Sequence, residues 1–424
     1  TKAGLEIIGQ GNPKTIGYFQ RNEGYEKGKV VMERKYDSVK QLMEETSLSE
    51  LRRLEEKTGK KITIVVSDSD EPFLSREIVH EENPIEKAAR ERGVKPRPSE
   101  TNSEIDDRGA FIRQPNSFRT PFGDGEGELK AAAGKYRLFW AKGCHWSNRA
   151  SIVRELLGLD KAISVNIVEP TGLHNKYGWG FPKEENGEDP VTGFKFLSEA
   201  YFNADPEYSG RATVPSLVDI ETKKIVNNDY HRLTNYFEVQ FRPFQDKDAP
   251  DLYPVELRRE IDVLNDWLFP NINNAHYRMA FCQSLEAYKE AFDDFTSAME
   301  KLDNRLENNR FLFGDYVTDS DVRFFVTLAR WDSHYYRNLG PQRRRISDYK
   351  NVWAYARDLY EIPAFRNNTY FRDFSREAKK GLFSSFPARF NDVIPYEKIW
   401  SAPQNRKVLS RTPEEKFLRH KEGE

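Results

Sequence analysis

The sequence predicts a small α/β domain followed by an all-helical domain, with an extra charged region in front of both. Two observations predict this order. From Lys135, strand, helix and strand patterns follow one another within about thirty residues, which is typical of a βαβ unit with a partly parallel sheet. From about Pro254 onward the apolar residues recur with the helical period. We place the domains at residues 1–105, 106–240 and 250–380, with an irregular, Pro-rich tail at 381–424.

The composition excludes several classes of protein. The 424 residues carry 66 Lys and Arg against 68 Asp and Glu, so a formal charge of -2 gives no electrostatic reason to expect nucleic acid or an anionic membrane as partner. An aromatic content of 13% is too high for a disordered chain, and no apolar run reaches the length of a membrane span. The seven histidines show no HExxH pattern. We therefore expect no catalytic metal. The two cysteines, Cys144 and Cys282, exclude a disulfide framework and a zinc site built on cysteine, so we expect a reducing, cytoplasmic location.

The first 105 residues are dominated by charge. Leucines at helical spacing predict a helix that ends at Gly59, and Ile62 to Val66 reads as a short strand. We interpret these residues as a small appended region, possessing some α/β structure. A flexible linker between Asn83 and about Arg108 would join it to the rest of the chain.

The α/β domain begins with a strand from Tyr136 to Ala141. The turn at Gly143-Cys144 leads into a helix that Gly158 would end, and residues 163–167 alternate as a second strand. Two further strands and one helix complete the domain. The strands span Thr213 to Ile220 and Lys224 to Val226, and the helix, capped by Asn228 or Asp229, has an inner face of Tyr230, Leu233, Tyr236 and Phe237.

Four apolar stripes at helical spacing define the all-helical domain. Thr318 and Asp321 have the spacing of a capping box in front of the third stripe. The stripes are Leu257, Ile261, Leu264 and Trp267; Tyr288, Phe292, Phe295, Met299, Leu302 and Leu306; Val322, Phe325 and Leu328; and Val352, Tyr355 and Leu359.

Cys144 lies where the first strand of the α/β domain leads into a helix. The free N–H groups and the dipole of a helix start favour a thiolate, and Lys142 and Arg149 would add to this effect. Ser147 occupies the fourth position of the motif, so this thiol would form mixed disulfides with an external thiol. An inert buried cysteine is the alternative, but the placement favours a functional thiol. Cys282, within a helical stretch, is predicted to fill the core.

Other features belong to the same candidate site. Val214-Pro215 opens the third strand, where a proline marks either a cis bond at the edge of a site or an ordinary strand start. Arg211 is a candidate anion-binding group. Tyr277 and Tyr335 lie in aromatic, polar stretches, and a phenol can hydrogen-bond a thiolate or protonate a leaving group. Helical spacing alone favours core positions for both tyrosines.

A thioredoxin-like unit with one thiol at its first helix, followed by an all-helical domain, resembles the glutathione transferases. Over about residues 108 to 375 the chain is most similar to the Xi class, the glutathionyl-hydroquinone reductases. The resemblance rests on short stretches that match the sequence pattern of the class. These are Phe111-Ile112-Arg113-Gln114-Pro115, Ser117-Phe118-Arg119, Asp205-Pro206, Tyr208-Ser209-Gly210-Arg211, Thr213-Val214-Pro215, Val226-Asn227-Asn228, Asp251-Leu252-Tyr253-Pro254, Gly314-Asp315 and Asp321-Val322-Arg323-Phe324.

The resemblance implies a role for each matching residue. Cys144 would attack the sulfur of a glutathionyl-hydroquinone, release the quinol and form a disulfide with glutathione, which a second thiol resolves. Tyr277 and Tyr335 would transfer protons and stabilise the thiolate. The contacts to the thiol would come from Trp179, Arg211, Thr213, the backbone of Val214 beside a cis Pro215, Asp229 and Tyr230. The protein would be a homodimer whose small-molecule partners are glutathione, or another low-molecular-weight thiol, and a quinone-type electrophile.

Three departures from the class pattern support an alternative function. The class motif Cys-Pro-Trp-Ala-His-Arg reads here Cys144-His145-Trp146-Ser147-Asn148-Arg149. Asp229-Tyr230 replaces the Glu-Ser pair that holds the γ-glutamyl end of glutathione, and Phe374-Ser375 stands where the class has a third tyrosine. The alternative is a transferase fold that serves as a binding or assembly module, or that uses a thiol other than glutathione. We favour the enzyme.

Overall fold

The structure is a computed structural model of the chain. It describes the strand residues 7–8, 15–20, 29–34 and 62–67, and the ranges 83–97, 104–335, 344–375 and 393–420. The predicted helix that ends at Gly59 lies outside these residues. The chain divides into two compact units, Thr1–Lys87 and Ala88–Glu424.

The first unit contains a four-stranded sheet with the strand order β1-β4-β2-β3. Its strands are β1 (Ile7–Ile8), β2 (Thr15–Gln20), β3 (Lys29–Arg34) and β4 (Ile62–Ser67). β1 runs parallel to β4, and β2 runs antiparallel to both β4 and β3. β4 contains the strand that the sequence predicts at Ile62 to Val66.

Where the sequence predicts a flexible linker from Asn83 to about Arg108, the structure has the helix α1 (Pro84–Glu91). Asn83 starts this helix, since its Oδ1 accepts a hydrogen bond from the Ile85 N–H at 2.9 Å, and proline is favoured in a first helical turn. In the second unit, the Arg92 guanidinium then donates to Glu199 at 3.0 Å and also pairs with Glu188. These ion pairs attach the segment after α1 to the α/β domain.

The second unit begins with a thioredoxin-like domain built on a mixed sheet of order β10-β9-β5-β6. Its strands are β5 (Tyr136–Trp140), β6 (Ile163–Ile167), β7 (Glu169–Pro170), β8 (Trp179–Gly180), β9 (Ser216–Asp219) and β10 (Lys224–Asn227), of which β7 and β8 form a separate pair. Its helices are α2 (His145–Leu156), α3 (His174–Tyr177), α4 (Ser198–Ala204) and α5 (Leu233–Val239).

The strand directions match the predicted βαβ unit. β5 runs parallel to β6, and β9 runs antiparallel to both β5 and β10. All five residues of β5 are buried, as expected for a central strand with both faces covered. α2 ends at Gly158 as predicted; its φ of +63° suits glycine, and a Cβ there would collide with the Asp246 carboxylate.

The helix predicted after Asn228 or Asp229 begins later, at Leu233. Asp229 forms a turn instead, since its carboxylate accepts from the His231 N–H at 3.0 Å and its carbonyl from the Leu233 N–H at 2.9 Å. Tyr230, which the sequence places on the inner face of the helix, therefore precedes it.

The all-helical domain follows. Its helices are α6 (Arg258–Leu268), α7 (Ala275–Phe281), α8 (Leu285–Arg305), α9 (Asp319–Arg330), α10 (Lys350–Tyr360), α11 (Pro363–Asn367), α12 (Phe371–Phe374) and α13 (Tyr396–Trp400), with π-helical turns at Phe269–Asn273 and Trp331–Tyr335. Short 3₁₀ turns lie at Glu185–Gly187, Arg242–Phe244, Val255–Leu257, Ile346–Asp348 and Arg406–Leu409. None of the helices in the described ranges is long and apolar enough to cross a membrane.

α9 lies at the centre of the helical domain, with all 12 of its residues buried. The predicted capping box is present: the Asp321 carboxylate accepts from the Thr318 N–H at 2.8 Å and from its hydroxyl at 2.9 Å. This cap fixes the start of the helix, and the last turn of α9 leads directly to the candidate site.

The residues beyond 392 differ from the irregular tail that the sequence predicts. They contain α13, whose Trp400 is 2% exposed, and the turn at Arg406–Leu409. Arg406 is buried because its guanidinium donates to backbone carbonyls after α8, among them Leu306 at 2.7 Å. A polar sequence rich in proline can thus pack firmly through one arginine and one tryptophan.

Candidate active site

Cys144 is the N-cap residue of α2, at the carboxyl end of the turn that follows β5. Its side chain is partly exposed, and its Sγ lies 3.8 Å from the Val214 carbonyl oxygen. The thiol opens onto a cavity of about 390 Å³. Among the residues predicted from the sequence, this cavity is lined by Cys144, Trp179, Arg211, Thr213, Val214 and Tyr230.

The loop in front of β9 is held by a polar network. The Val214–Pro215 peptide bond is cis. The Thr213 carbonyl accepts from the hydroxyls of Tyr201 at 2.8 Å and Ser216 at 2.5 Å, so β9 begins at Ser216 and not at Thr213 as predicted. This network presents the backbone of Val214 to the cavity beside the thiol.

Arg211 already has an anionic partner within the protein. Its guanidinium lies 2.5 Å from the Glu104 carboxylate, and both residues line the cavity. The Glu104 side chain is only 17% exposed. Arg211, which the sequence assigns to ligand binding, is therefore already paired with a carboxylate of this chain.

Asp229 does not line the cavity of the thiol, although the neighbouring Tyr230 does. Asp229 is 8% exposed and lines a second cavity of about 450 Å³, whereas Tyr230 lines both cavities. The Tyr230 ring packs 4.8 Å from the Trp146 ring and 6.1 Å from the Phe269 ring, measured between centroids. This ring forms part of the wall between the cavity of the thiol and the cavity of Asp229.

Tyr277, in α7, and Tyr335, in the π-helical turn after α9, lie together, with ring centroids 6.2 Å apart. Tyr335 is 2% exposed, and its hydroxyl lies 3.2 Å from the Nδ1 atom of His145. Burial raises the pKa of both tyrosines, and the charge of Cys144 raises the pKa of Tyr277 further. Both phenols therefore keep their protons at neutral pH within the electrostatic field of the thiol.

Two fully buried arginines act on the start of α2. Arg330, the last residue of α9, donates to the carbonyls of Lys142 at 2.8 Å and Gly143 at 3.1 Å, and Phe374 covers its guanidinium at 3.9 Å. Burial lowers the pKa of Arg330 to about 10 and that of Arg149 to about 9. Both remain cations at neutral pH and interact electrostatically with Cys144.

Lys142, which the sequence places beside the thiol as a cation together with Arg149, points elsewhere. Its ammonium lies 4.2 Å from the centre of the Tyr370 ring. Cys282 also differs from its prediction as a core residue, because it lies at the end of α7 and is partly exposed, with its Sγ 3.3 Å from the Met279 carbonyl. Burial still raises the pKa of the Cys282 thiol.

Sequence reasoning missed Arg113, Arg330 and His145 as members of the site. Arg113 lines both cavities, and its guanidinium lies 4.5 Å from the Tyr277 ring and 4.7 Å from the Trp146 ring. A buried arginine has no sequence signature of its own. For His145 a signal existed, since it replaces the proline of the class motif.

The arrangement as a whole suits nucleophilic thiol chemistry. A partly exposed thiol lies at a helix start and beside a cavity, and it interacts electrostatically with two protonated phenols. Among the residues that the structure describes, no group of three His, Cys, Asp or Glu is placed to hold a metal ion. The cavity residues are instead suited to a small polar ligand.

Comparison with known proteins gives a consistent result. Residues 286–358 match the family model of the glutathione S-transferase C-terminal domain. The chain is 34% identical over 296 residues to the glutathionyl-hydroquinone reductase YqjG of Escherichia coli, which covers 66% of this chain and 89% of that protein.

Solved structures agree. A Xi class glutathione transferase from Natrialba magadii has a TM-score of 0.62 at 29% identity, over 74% of this chain and 97% of that chain. The glutathione-bound structure of YqjG has a TM-score of 0.55 at 33% identity, over 63% of this chain and 88% of that chain.

Proposed function

Since the chain belongs to the Xi class of the glutathione transferases and is an enzyme of that kind, we propose that it reduces glutathionyl-hydroquinones through a mixed disulfide at Cys144. The observation that carries this proposal is the position of the thiol. Cys144 caps α2, is partly exposed and opens onto a cavity that contains Trp179 and Val214. A thiol in such a setting is reactive toward sulfur electrophiles.

The cavity beside Cys144 would bind the cosubstrate thiol. Glutathione is the first candidate, because a glutathione-bound relative has the same fold. Its peptide backbone would pair with the backbone of Val214 next to the cis Pro215, and its carboxylate would bind Arg211. Trp179 and Thr213 would line the pocket.

The first step would transfer a glutathionyl group to the enzyme. The Cys144 thiolate attacks the sulfur of the glutathionyl-hydroquinone, and a sulfur–sulfur bond forms as the bond from sulfur to the ring carbon breaks. The electron pair of that bond passes to the ring carbon, which takes up one proton. The ring carbon is reduced, and the two sulfurs are oxidised to a disulfide.

The protonated phenols would supply that proton. Tyr277 and Tyr335 keep their hydrogens because burial raises the pKa of both. A phenol placed against the reacting ring can give its proton to carbon or hydrogen-bond the quinol oxygens. The same hydroxyls would stabilise the Cys144 thiolate before the reaction.

The second step would restore the enzyme. A second glutathione, as thiolate, attacks the glutathionyl sulfur of the mixed disulfide, which forms glutathione disulfide and releases the Cys144 thiolate. The proton of this second thiol replaces the one given to the ring. The sum is one glutathionyl-hydroquinone and one glutathione converted to quinol and glutathione disulfide.

We also expect the protein to form a homodimer, as the resemblance to the class implies. Sedimentation analysis would test this oligomeric state.

Two observations favour a second candidate function. The Tyr230 ring stands where the class has a serine, and the Glu104 carboxylate occupies Arg211. The ring takes up room in the cavity beside Cys144, and the ion pair engages the cation that would bind the carboxylate of glutathione. The second candidate is therefore a binding module, or an enzyme that takes a different low-molecular-weight thiol.

Turnover of a glutathionyl-hydroquinone with excess glutathione tests the proposal. Wild type should release quinol, and Cys144→Ser should lose all turnover while keeping its circular-dichroism spectrum. Cys282→Ser is the matched control, because its thiol lies in the helical domain at the end of α7, and it should retain the wild-type rate. Equal turnover by Cys144→Ser would reject the mechanism.

A further inference from the structure

His145 follows Cys144 directly and is the first residue of α2. The side chain has 0% exposure, and its Nδ1 lies 3.2 Å from the Tyr335 hydroxyl. The rings of Trp146 and Tyr277 stand edge-on to the imidazole, with centroids 4.0 and 5.5 Å away. The imidazole thus lies between the residue after the thiol and the two phenols.

This histidine is neutral. Burial, and after it the charges of Arg149, Arg330 and Arg113, lower the pKa of His145 well below its usual value of 6.5. A neutral imidazole has one N–H donor and one bare acceptor nitrogen. His145 is therefore unsuited to act as a cationic acid. Whether the Tyr335 hydroxyl accepts or donates the hydrogen bond to Nδ1 depends on which ring nitrogen carries the hydrogen.

The surroundings favour the hydrogen on Nδ1. The Nε2 atom is buried and has no hydrogen-bond partner among the residues that the structure describes. A buried N–H without an acceptor carries the full cost of its lost hydration, whereas an N–H on Nδ1 would have the Tyr335 hydroxyl as acceptor. With Nε2 bare, Nδ1–H donates to the Tyr335 oxygen.

The direction of this bond fixes the hydroxyl of Tyr335. The Tyr335 oxygen, once it accepts from His145, turns its own hydrogen away from the imidazole. The Tyr277 ring lies beside it, with centroids 6.2 Å apart, and the charge of Cys144 acts on both phenols. A hydroxyl whose oxygen already accepts a hydrogen bond is a better donor to an anion.

We propose that His145 is a positioning residue: its Nδ1–H holds the Tyr335 hydroxyl so that the hydrogen of that hydroxyl is available to stabilise the Cys144 thiolate. That this effect serves the reduction of glutathionyl-hydroquinones rests on the proposed function. The stabilisation of the Cys144 thiolate by itself does not, because it requires no substrate.

Alkylation of Cys144 by iodoacetamide, followed against pH in the full chain carrying Cys282→Ser, tests the proposal. His145→Phe removes the donor, and His145→Pro does so with a residue that suits a first helical turn. Both should raise the pH midpoint of alkylation by about one unit, a tenfold loss of thiolate stabilisation. His145→Asn, whose amide N–H can replace Nδ1–H, should return the midpoint to that of wild type.

His276→Phe is the control for aromatic packing. His276 stacks on the Tyr335 ring with centroids 3.9 Å apart and also acts electrostatically on His145; because phenylalanine keeps the stack, the shift should be smaller than in His145→Phe. An equal shift in His276→Phe would overturn the proposal. Wild-type midpoints in both His145→Phe and His145→Pro would overturn it as well.

Nitrogen NMR of ¹⁵N-histidine-labelled protein gives a test that needs no variant to fold well. The signals of His145, assigned through their loss in His145→Asn, should show hydrogen on Nδ1; hydrogen on Nε2 would overturn the proposal. Single-turnover release of quinol separates the two proposals. If no protein releases quinol but the alkylation midpoints still shift, the proposed function fails and the role of His145 stands.

Discussion

Two buried arginines, and not the lysine nearest in sequence, provide the positive charge around Cys144. Arg330 is held by the carbonyls of Lys142 and Gly143, and Arg149 donates to the Asn273 amide oxygen at 3.1 Å. Because both guanidinium groups are shielded from water, their fields act through a medium of low dielectric constant. Two single side chains thus place buried positive charge next to the thiol.

Glu104 forms an ion pair with Arg211, the residue that we expect to bind the carboxylate of the ligand. Glu104→Gln should release Arg211 for the carboxylate of the ligand and lower the dissociation constant of glutathione about fivefold, since a charged competitor is lost. Titration calorimetry measures this constant. Glu221→Gln, on the exposed turn between β9 and β10, is the control and should leave it unchanged. An unchanged or weaker affinity in Glu104→Gln would mean that Arg211 does not bind the thiol.

Tyr230 offers a second test. Tyr230→Ser should open the wall between the two cavities and tighten glutathione about tenfold, because the ring no longer fills the space for the γ-glutamyl carboxylate. Tyr230→Phe keeps the ring and should bind as wild type does. Calorimetry that finds equal affinity in all three proteins would remove Tyr230 as the obstacle.

The elements of the second unit follow from periodicity, and the side-chain contacts at the site do not. The apolar alternation at 163–167 and the capping box at Thr318 predict β6 and the start of α9 well, because local pattern decides such features. The pairing of Arg211 with Glu104 joins residues 107 positions apart. No local pattern encodes such a contact, so only the folded structure reveals it.

The same limit explains the errors at element boundaries. α1 lies in a stretch that reads as a linker because its sequence is highly charged, and its stability depends on ion pairs formed after Glu91. The helix after Asp229 begins late because the carboxylate forms a turn of its own. A tertiary contact overrides composition in the first case, and a local side-chain turn delays the helix in the second.

α9 connects the two domains of the second unit through its last residue. Arg330→Met should remove the donors to Lys142 and Gly143 and to the Asn148 amide oxygen, and destabilise the protein by about 3 kcal/mol. It should also slow alkylation of Cys144 at pH 7. Arg330→Lys keeps the charge, so alkylation should suffer less than stability. Guanidinium denaturation and alkylation rates measure the two effects, and wild-type values for Arg330→Met would refute the connection.

At the level of the whole molecule, one buried and one half-buried neutral histidine make stability depend on pH. The pKa of His145 is well below 6.5 in the folded protein, and burial lowers that of His231 to about 3. Below about pH 6.5 the unfolded chain therefore binds protons that the folded chain does not, and stability falls as the pH falls.

The His145 contribution to this slope should be about 1.4 kcal/mol per pH unit between pH 6.5 and 5. Guanidinium denaturation of wild type and His145→Asn at several pH values measures it. The variant should keep the slope due to His231 and lose the part due to His145. Identical slopes would show that His145 already titrates in the folded state near pH 6.5.

The most direct test of the proposed chemistry is the intact mass of the protein after incubation with a glutathionyl-hydroquinone, for wild type beside Cys144→Ser. Wild type should gain the mass of one glutathionyl group while free quinol appears, and Cys144→Ser should gain nothing. An adduct on neither protein would contradict a Cys144 mixed disulfide with glutathione, and an adduct on both would assign the reaction to another residue.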